Sequence, residues 1–406
     1  MMRAFLLLLI LGAGAAPAAA QIDPERRRLL QAGFSLPVEG RGPLSGYLYY
    51  YHNHPYADKI RTLRLAVAPV YLDAEYGLKG GLGGPTDLGI GLAGGGFADS
   101  YSEIRGGRFL RGESFTGDGV RASLSAYRDF GKIGRAPLAG ILRGEGRYAE
   151  FRRDAGTEPG FELPNAQTDF NVRAGLRWGG QEPLLMPRLA GELSVWYEGR
   201  LRTASGAYGY ASDRRVEPHS HMFWSRALIV YNLPKADHRF LAQIAGGTSR
   251  RPDRFSAYRL GGVLPQASEF PLSIPGYYYQ EVSARDYGLA GGSYVLPLSR
   301  DKRTWLATLT LATAVVNYAP GLEQDDKWHS GAGLGVHYTT HAWHALLEYG
   351  YGVNANRGHG NGAHSLGVRV QFDFRKSKSP LVLPRDVERS LERALERLPL
   401  PKSLAP

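Results

Sequence analysis

The chain has 406 residues, of which 43% are hydrophobic and 21% charged, with a formal net charge of +11 and no cysteine. The lack of cysteine excludes a disulfide framework, thiol catalysis and thiolate metal sites. After the first 20 residues no apolar run reaches the ~20 residues that a membrane-spanning helix needs, which excludes a polytopic helical membrane protein.

The chain begins with the features of a secretion signal, predicted to span residues 1–20. Arg3 precedes an apolar run from Ala4 to Leu11, and small residues follow up to Ala20. A positive start, a short apolar region and an A-x-A site together predict cleavage before Gln21. A secreted chain rarely meets nucleic acid, so the positive charge favours anionic lipid headgroups or anionic solutes as partners.

Residues 21–42 are predicted to form a short periplasmic N-terminal segment. It contains a charged helix candidate from Glu25 to Ala32, followed by a linker rich in proline and glycine. The predicted barrel domain then spans residues 43–374.

Residues 43–374 show the period-two alternation of β-strands. We count about 14 strand-like segments, at 43–52, 61–73, 86–98, 118–130, 138–151, 168–179, 188–201, 221–233, 238–248, 283–298, 304–318, 327–340, 342–354 and 364–374. In the last segment one face is wholly apolar and consists of Leu366, Val368, Val370, Phe372 and Phe374. Short connections alternate with longer ones rich in Gly, Asp and Arg, as in outer-membrane barrels.

This pattern predicts an all-β fold, a transmembrane antiparallel β-barrel in the bacterial outer membrane. We expect about 14 strands, with 16 as the alternative. An unpaired strand edge cannot exist in lipid, so the sheet should close, with residues 364–374 as the closing strand. A soluble all-β sandwich or propeller is the other fold that such alternation allows.

The tail, residues 375–406, changes character and is predicted to be periplasmic. Between Arg385 and Leu398 the apolar residues recur at helical spacing, and Arg–Glu pairs three residues apart flank them. The tail therefore predicts a short amphipathic helix after the closing strand.

Alternation also assigns charged side chains to the lumen. Neighbouring strands contribute a predicted basic wall, beside acidic residues at Glu192 and Glu198, and its members are Arg143, Arg147, Arg173 and Arg177. Two interpretations stay open: a conduit or docking surface that prefers anions, or a ladder of opposite charges that pair across strands and fill a narrow barrel.

Four short motifs follow one another in the C-terminal third, namely Arg-Leu-Gly-Gly at 259–262, Ile-Pro-Gly-Tyr-Tyr-Tyr-Gln-Glu at 274–281, Ala-Arg-Asp-Tyr at 284–287 and Ser-Tyr-Val-Leu-Pro-Leu at 293–298. Their order resembles the C-terminal barrel of the BamA/TamA-type bacterial surface-antigen superfamily. The resemblance implies a loop that folds back into the lumen and is followed by five strands, and five predicted strands follow here. The implied lumen-loop residues are Gly261, Gly262, Ile274, Pro275, Gly276, Tyr277, Glu281 and Arg285.

The chain departs from that superfamily in three respects. Pro275 stands where the family has its motif arginine, so the family's ion pair in the lumen cannot form in the same way. We expect a form lacking POTRA domains, because only about 20 residues lie between the signal and the first predicted strand. The family barrel has sixteen strands, against the 14 segments counted here.

The loop from residue 250 to residue 283 is predicted to fold into the lumen and restrict the pore. Its middle, residues 270–279, is apolar and aromatic, and such a patch would invite association if it were exposed. Glycines at 331–335 and 350–352 leave room for its tyrosines on the inner wall. Glu281 or Arg285 would take over the pairing that Pro275 cannot make, with lumen arginines or Glu348 as partners.

Three functions are compatible with these features. The resemblance favours a barrel for envelope biogenesis, protein insertion or secretion; a porin-like solute channel and a lipid-modifying barrel enzyme are the alternatives. We expect no catalytic residue, no cofactor and no metal. The expected partners are outer-membrane lipids including lipopolysaccharide, the barrel-assembly machinery for insertion, and a separate periplasmic protein.

Overall fold

The structure, a computed structural model, describes residues 26–375 except 44, 56–59, 70, 97–100, 135, 181–190, 234–237, 263–269, 300–303 and 358–359. The predicted signal (1–20) and the predicted C-terminal helix (385–398) lie outside the described residues. Two single 3₁₀ turns, Arg111–Glu113 and Tyr210–Ser212, are the helical elements of the described part. No helix in these ranges is long and apolar enough to cross a membrane.

Sixteen antiparallel strands close into a barrel. They are β1 (Arg27–Pro37), β2 (Ser45–His54), β3 (Arg61–Ala68), β4 (Tyr71–Leu78), β5 (Thr86–Gly96), β6 (Phe115–Ile133), β7 (Ala136–Arg153), β8 (Gln167–Gly179), β9 (Gly191–Arg202), β10 (His219–Asn232), β11 (Arg239–Arg250), β12 (Val282–Pro297), β13 (Trp305–Tyr318), β14 (Trp328–Thr339), β15 (Trp343–Asn356) and β16 (Asn361–Asp373). Each strand pairs with its neighbour in sequence, and β1 pairs with β16.

The count of 14 strands is wrong, and the alternative of 16 is correct. The predicted segment 61–73 is two strands, β3 and β4, separated by a turn at Pro69, whose missing N–H cannot join a strand ladder. Residues 27–37, expected within a periplasmic segment with a helix at 25–32, form β1 instead. The barrel therefore begins at Arg27 rather than at residue 43.

β1 is a strand because its residues alternate like those of the other strands. Leu30, Phe34 and Leu36 are 38–49% exposed on the outer face, whereas Leu29 and Gln31 are buried on the inner face. Three consecutive arginines at its start, residues 26–28, gave it the composition of a charged helix, although its apolar residues follow a period of two.

The outer face of the barrel carries an apolar belt. On β16 the side chains of Leu366 and Val368 are 42% and 44% exposed, and Ile244 on β11 is 66% exposed. A continuous belt of such side chains around the sheet is the surface that lipid requires, so the barrel spans a membrane.

The seam between β1 and β16 is a continuous antiparallel pairing of the two strands. Residues 29–37 of β1 pair with residues 365–373 of β16, and the backbone N–H of Phe374 donates to the carbonyl of Arg28 at 2.9 Å. Inside the barrel the buried side chains of Gln31 and Gln371 form a hydrogen bond of 2.9 Å across the seam. On the outward face, at the periplasmic end of the seam, Phe372 packs against the rings of Trp343 and Phe374.

Both ends of the described chain lie at one end of the barrel, which we take as periplasmic because the longest connections lie at the other end. Those outer connections contain short strand pairs, Ile104–Arg105 with Arg108–Phe109 and Gly206–Tyr208 with Arg214–Val216. The longest connection, residues 251–281, is called the lumen loop below. Its strand Tyr258–Gly261 pairs with the start of β12 and with Leu272–Ser273.

Candidate functional site: the lumen loop and its anchor

The lumen loop rests on a part of the inner wall that has no side chains. Gly331 on β14 and Gly352 on β15 face each other and point into the barrel. A Cβ atom on Gly331 would lie 2.1 Å from the carbonyl oxygen of Pro275, and a Cβ atom on Gly276 would lie 1.9 Å from the backbone nitrogen of Gly352. The backbone of the loop therefore touches the backbone of the wall, which only glycine permits.

Two further glycines shape the loop itself. Gly276 has φ +84°, in the left-handed region, so it turns the chain where it meets the wall. Gly261 has φ +140°, and a Cβ on the next residue, Gly262, would lie 2.5 Å from the carbonyl oxygen of Tyr277. The Gly-Gly element is thus where the two limbs of the loop pack against each other.

The loop carries its own apolar core. Ile274 and Tyr277 are 0% and 1% exposed, and they pack with Leu260 of the loop and with Val282 at the start of β12. The hydroxyl of Tyr277 lies 3.2 Å from Nδ1 of His329 on the barrel wall. Burial of this apolar surface holds the segment inside the barrel rather than in water.

A buried ion pair fixes the end of the loop. Glu281, with a side chain that is 0% exposed, receives two hydrogen bonds from Arg357, which is 3% exposed: Nη1–Oε1 at 2.6 Å and Nη2–Oε2 at 2.9 Å. The backbone N–H of Tyr278 also donates to Glu281 at 2.7 Å, and the Arg357 guanidinium lies 3.7 Å from the centre of the Tyr278 ring. Such two-point pairs are strong when desolvated and fully hydrogen-bonded.

Arg357 is the functional residue that sequence reasoning missed. It lies in the connection between β15 and β16, which the sequence assigned to an outer loop without a role. Of the two residues expected to replace the family's arginine, only Glu281 points inward. Arg285 is exposed and pairs with its neighbour Asp286 at 2.9 Å, and Glu348 pairs with Arg369.

The loop also reaches the outer end of the β1–β16 seam. The hydroxyl of Tyr278 donates to the carbonyl of Glu39, in the turn after β1, at 3.1 Å. The carboxylate of Glu39 accepts a hydrogen bond of 2.6 Å from the backbone N–H of His364 in β16. One short segment thus contacts the turns that adjoin both strands of the seam.

The predicted basic wall faces the lumen, but each of its arginines is paired with a carboxylate. The contacts are Arg143–Glu75 at 2.7 Å, Arg147–Asp169 at 2.9 Å, Arg173–Glu198 at 2.7 Å and Arg177–Glu192 at 2.8 Å. The wall is therefore a mixed ladder and not a bare positive surface. The sequence did not give the register that brings Glu75 and Asp169 opposite these arginines.

The ladder keeps a surplus of positive charge. Arg226 shares Glu192 with Arg177, and Arg200 shares Glu198 with Arg173. A polar cavity of about 120 Å³ lies in the ladder, lined by five arginines, three carboxylates and Asn171. Among the described residues no group of three His, Asp or Glu side chains is arranged to hold a metal ion.

The outer connections pack into a cap that the sequence did not predict. Tyr101, Phe115, Phe161 and Tyr208 form an aromatic cluster, and Phe255 of the lumen loop packs against it. These aromatic residues are dispersed among loops rich in Gly and Asp. Their recurrence in successive outer loops was the one feature of the sequence that could have predicted the cap.

Charges connect this cap to the lumen loop. The carboxylate of Glu103 is 0% exposed and lies 3.0 Å from Arg254 and 3.1 Å from Arg105. Arg259 lies 4.7 Å from the centre of the Tyr101 ring. The cap and the lumen loop therefore form one packed unit at the outer mouth.

No protein-family model matches the chain, and no curated protein matches it in sequence. Solved structures do match its fold. A crystal structure of BamA from Haemophilus ducreyi lacking POTRA domains 1–3 aligns with a TM-score of 0.54 and 10% identity, covering 86% of this chain and 71% of that one. CdiB from Escherichia coli aligns with a TM-score of 0.56 and 14% identity, covering 86% of this chain and 63% of that one.

Identities of this size show the fold alone. The sixteen strands, the closed seam and the apolar belt agree with it. The chain is a β-barrel of the bacterial outer membrane, similar in fold to BamA and CdiB.

Proposed function

We propose that this barrel acts in envelope biogenesis, in protein insertion or secretion, and that it rests in a closed state. The observation that carries the proposal is the lumen loop, seated on the glycine wall and fixed by the buried Glu281–Arg357 pair. A loop that only lined a permanent pore would not need a desolvated ion pair at its end.

The similarity in fold to BamA and CdiB supports the same role, as do the five strands that follow the lumen loop. The ion pair differs from that of the superfamily in which element supplies the acid and which supplies the arginine. There the loop supplies the arginine and the wall supplies the acid; here the loop supplies Glu281, and the hairpin between β15 and β16 supplies Arg357.

The lumen ladder argues against a wide solute channel. Its charged side chains form ion pairs with one another across strands β4 to β10, and the cap packs over the outer mouth. We also propose that this role is non-enzymatic. We further propose that the barrel is inserted by the barrel-assembly machinery, is surrounded by outer-membrane lipids including lipopolysaccharide, and works with a separate periplasmic protein.

Deletion of the gene tests this function. We expect the amounts of one or more outer-membrane or secreted proteins to fall several-fold, and expression of the wild-type chain to restore them, because a biogenesis barrel limits the delivery of its clients. Quantitative proteomics of the outer membrane and of the culture medium measures the change. Unchanged protein amounts with slower uptake of a small anionic solute would instead indicate the porin-like alternative.

A further inference from the structure

Basic side chains cluster on the outer face of the barrel, at the outer ends of three neighbouring strands. Arg250 ends β11, His221 lies opposite it on β10, and Arg285 lies at the start of β12. These strands are adjacent, and the side chain of Ser249 donates to the backbone carbonyl of Arg285 at 2.7 Å, which brings Arg250 and Arg285 close together.

The register places Arg250 and His221 on the lipid-facing side, and Arg285 lies in a bulge of β12 beside Asp286, which stands opposite the outward Thr248. Outward residues on β11 alternate from Phe240 through Ile244 to Arg250, and Ile244 is 66% exposed. On β10 the same side carries Ile229, which is 62% exposed, and it continues to His221. The residues that alternate with these along β10 and β11 point inward and line the lumen.

The cluster also lies at the height of the outer headgroups. Aromatic residues mark the periplasmic end of the belt, where the rings of Phe240 and Tyr294 pack at a tilt with centres 4.6 Å apart. Phe240 and Arg250 are ten residues apart along β11. At about 3.3 Å per residue and a tilt of about 40° this is about 25 Å, the height of the apolar band of an outer-membrane barrel.

The cluster has more positive than negative charge. The side chain of Arg250 has no hydrogen bond or ion pair with the described residues. Arg251 has φ +53°, which turns the chain out of β11 and brings its guanidinium 2.6 Å from His219. Asp286 is the carboxylate that pairs here, with Arg285 at 2.9 Å, and it also accepts hydrogen bonds from Thr248 and Asn317.

We propose that this cluster, Arg250, Arg251 and Arg285 with His219 and His221, binds the phosphorylated sugar headgroup of an outer-leaflet glycolipid, the lipid A part of lipopolysaccharide. Arginine guanidinium groups match phosphate in geometry and charge. The apolar side chains directly below accept the acyl chains. The site therefore contacts both the headgroup and the acyl chains of one lipid, and it lies at the depth of the headgroups.

Another outer-rim arginine serves as a matched control. Arg152 on β7 faces outward and is 65% exposed, but it contacts Asp118, and Glu150 lies opposite Asp118 in the register. One arginine beside two carboxylates carries net negative charge. A phosphate should therefore not bind there.

The experiment measures lipid binding to the full chain, purified in mild detergent and freed of bound lipid. Native mass spectrometry follows a titration with doubly phosphorylated lipid A and, separately, with its dephosphorylated form. The variants are the double substitution Arg250→Gln/Arg285→Gln and the control Arg152→Gln. Unchanged heat-modifiable migration confirms that each variant forms the barrel.

We expect the double variant to bind phosphorylated lipid A about tenfold more weakly than the wild type, and Arg152→Gln to bind it like the wild type. Dephosphorylated lipid A should bind the wild type about as weakly as phosphorylated lipid A binds the double variant. Equal binding of both lipids to the wild type would overturn the proposal, as would an equal loss in the control. Displacement of lipid A by inorganic phosphate at matched concentration would also overturn it and indicate a site for free anions.

Discussion

Deletion of Arg27–Pro37 is expected to abolish stable insertion of the barrel. This strand pairs with β2 through residues 27–35 and with β16 through residues 29–37. Without it, the backbone groups of β2 and β16 would face lipid unpaired, and each such group costs several kcal/mol in hydrocarbon. The measurement is heat-modifiable migration of the protein in the outer-membrane fraction, where we expect the folded band to be lost.

Deletion of Gly367–Phe374 should have the same effect, because it removes the other side of the same seam. Deletion of residues 380–406 is the control and should leave the folded band, since the pairing of β16 with β1 ends at Asp373. A folded band of normal intensity from the Arg27–Pro37 deletion would mean that β1 is not part of the closed barrel.

Replacement of Arg357 by glutamine is expected to release the lumen loop. Glu281 would lose its partner in a site that is 0% exposed, and breaking a buried pair by removing one partner costs about 3–5 kcal/mol. If the loop is cut only when it leaves the wall, its proteolysis should become faster by about a hundredfold or more, because 1.4 kcal/mol corresponds to a factor of ten. The measurement is the rate at which an added protease cuts within residues 270–281 of the protein in liposomes.

The double variant Glu281→Gln/Arg357→Gln isolates the charge. Both side chains stay polar and no unpaired charge remains, so proteolysis should be much slower than in the single variant. If Arg357→Gln is cut no faster than the wild type, the pair does not hold the loop in place.

Alternation along the strands was enough to predict the architecture. The residues of β16 separate so cleanly into two faces that the barrel, its closing strand and its membrane follow from them. The first strand was missed because its arginines outweighed the alternation of Leu30, Phe34 and Leu36. The split at Pro69 was missed because β3 and β4 are short, with eight residues each, and read as one run.

The site was harder to predict, because it depends on which strands come together. The glycines at 331 and 352 could be recognised as free space on the wall, and Glu281 as a charge in need of a partner. Arg357 could not be identified as that partner, since the two residues are separated by 76 positions in sequence and meet only after closure of the barrel. The lumen arginines raised the same difficulty, because their carboxylates lie on strands whose register the sequence does not state.

Single-channel conductance in planar lipid bilayers tests most directly that the barrel rests closed by its lumen loop. Three forms are compared: the wild type, Gly331→Val and Gly144→Val. The first valine meets the carbonyl of Pro275, whereas a Cβ on Gly144 has no other atom within 4 Å. We expect no stable opening from the wild type or Gly144→Val, and long-lived openings from Gly331→Val, in which the loop can no longer sit on the wall. A stable, large conductance from the wild type, equal to that of Gly331→Val, would contradict this account.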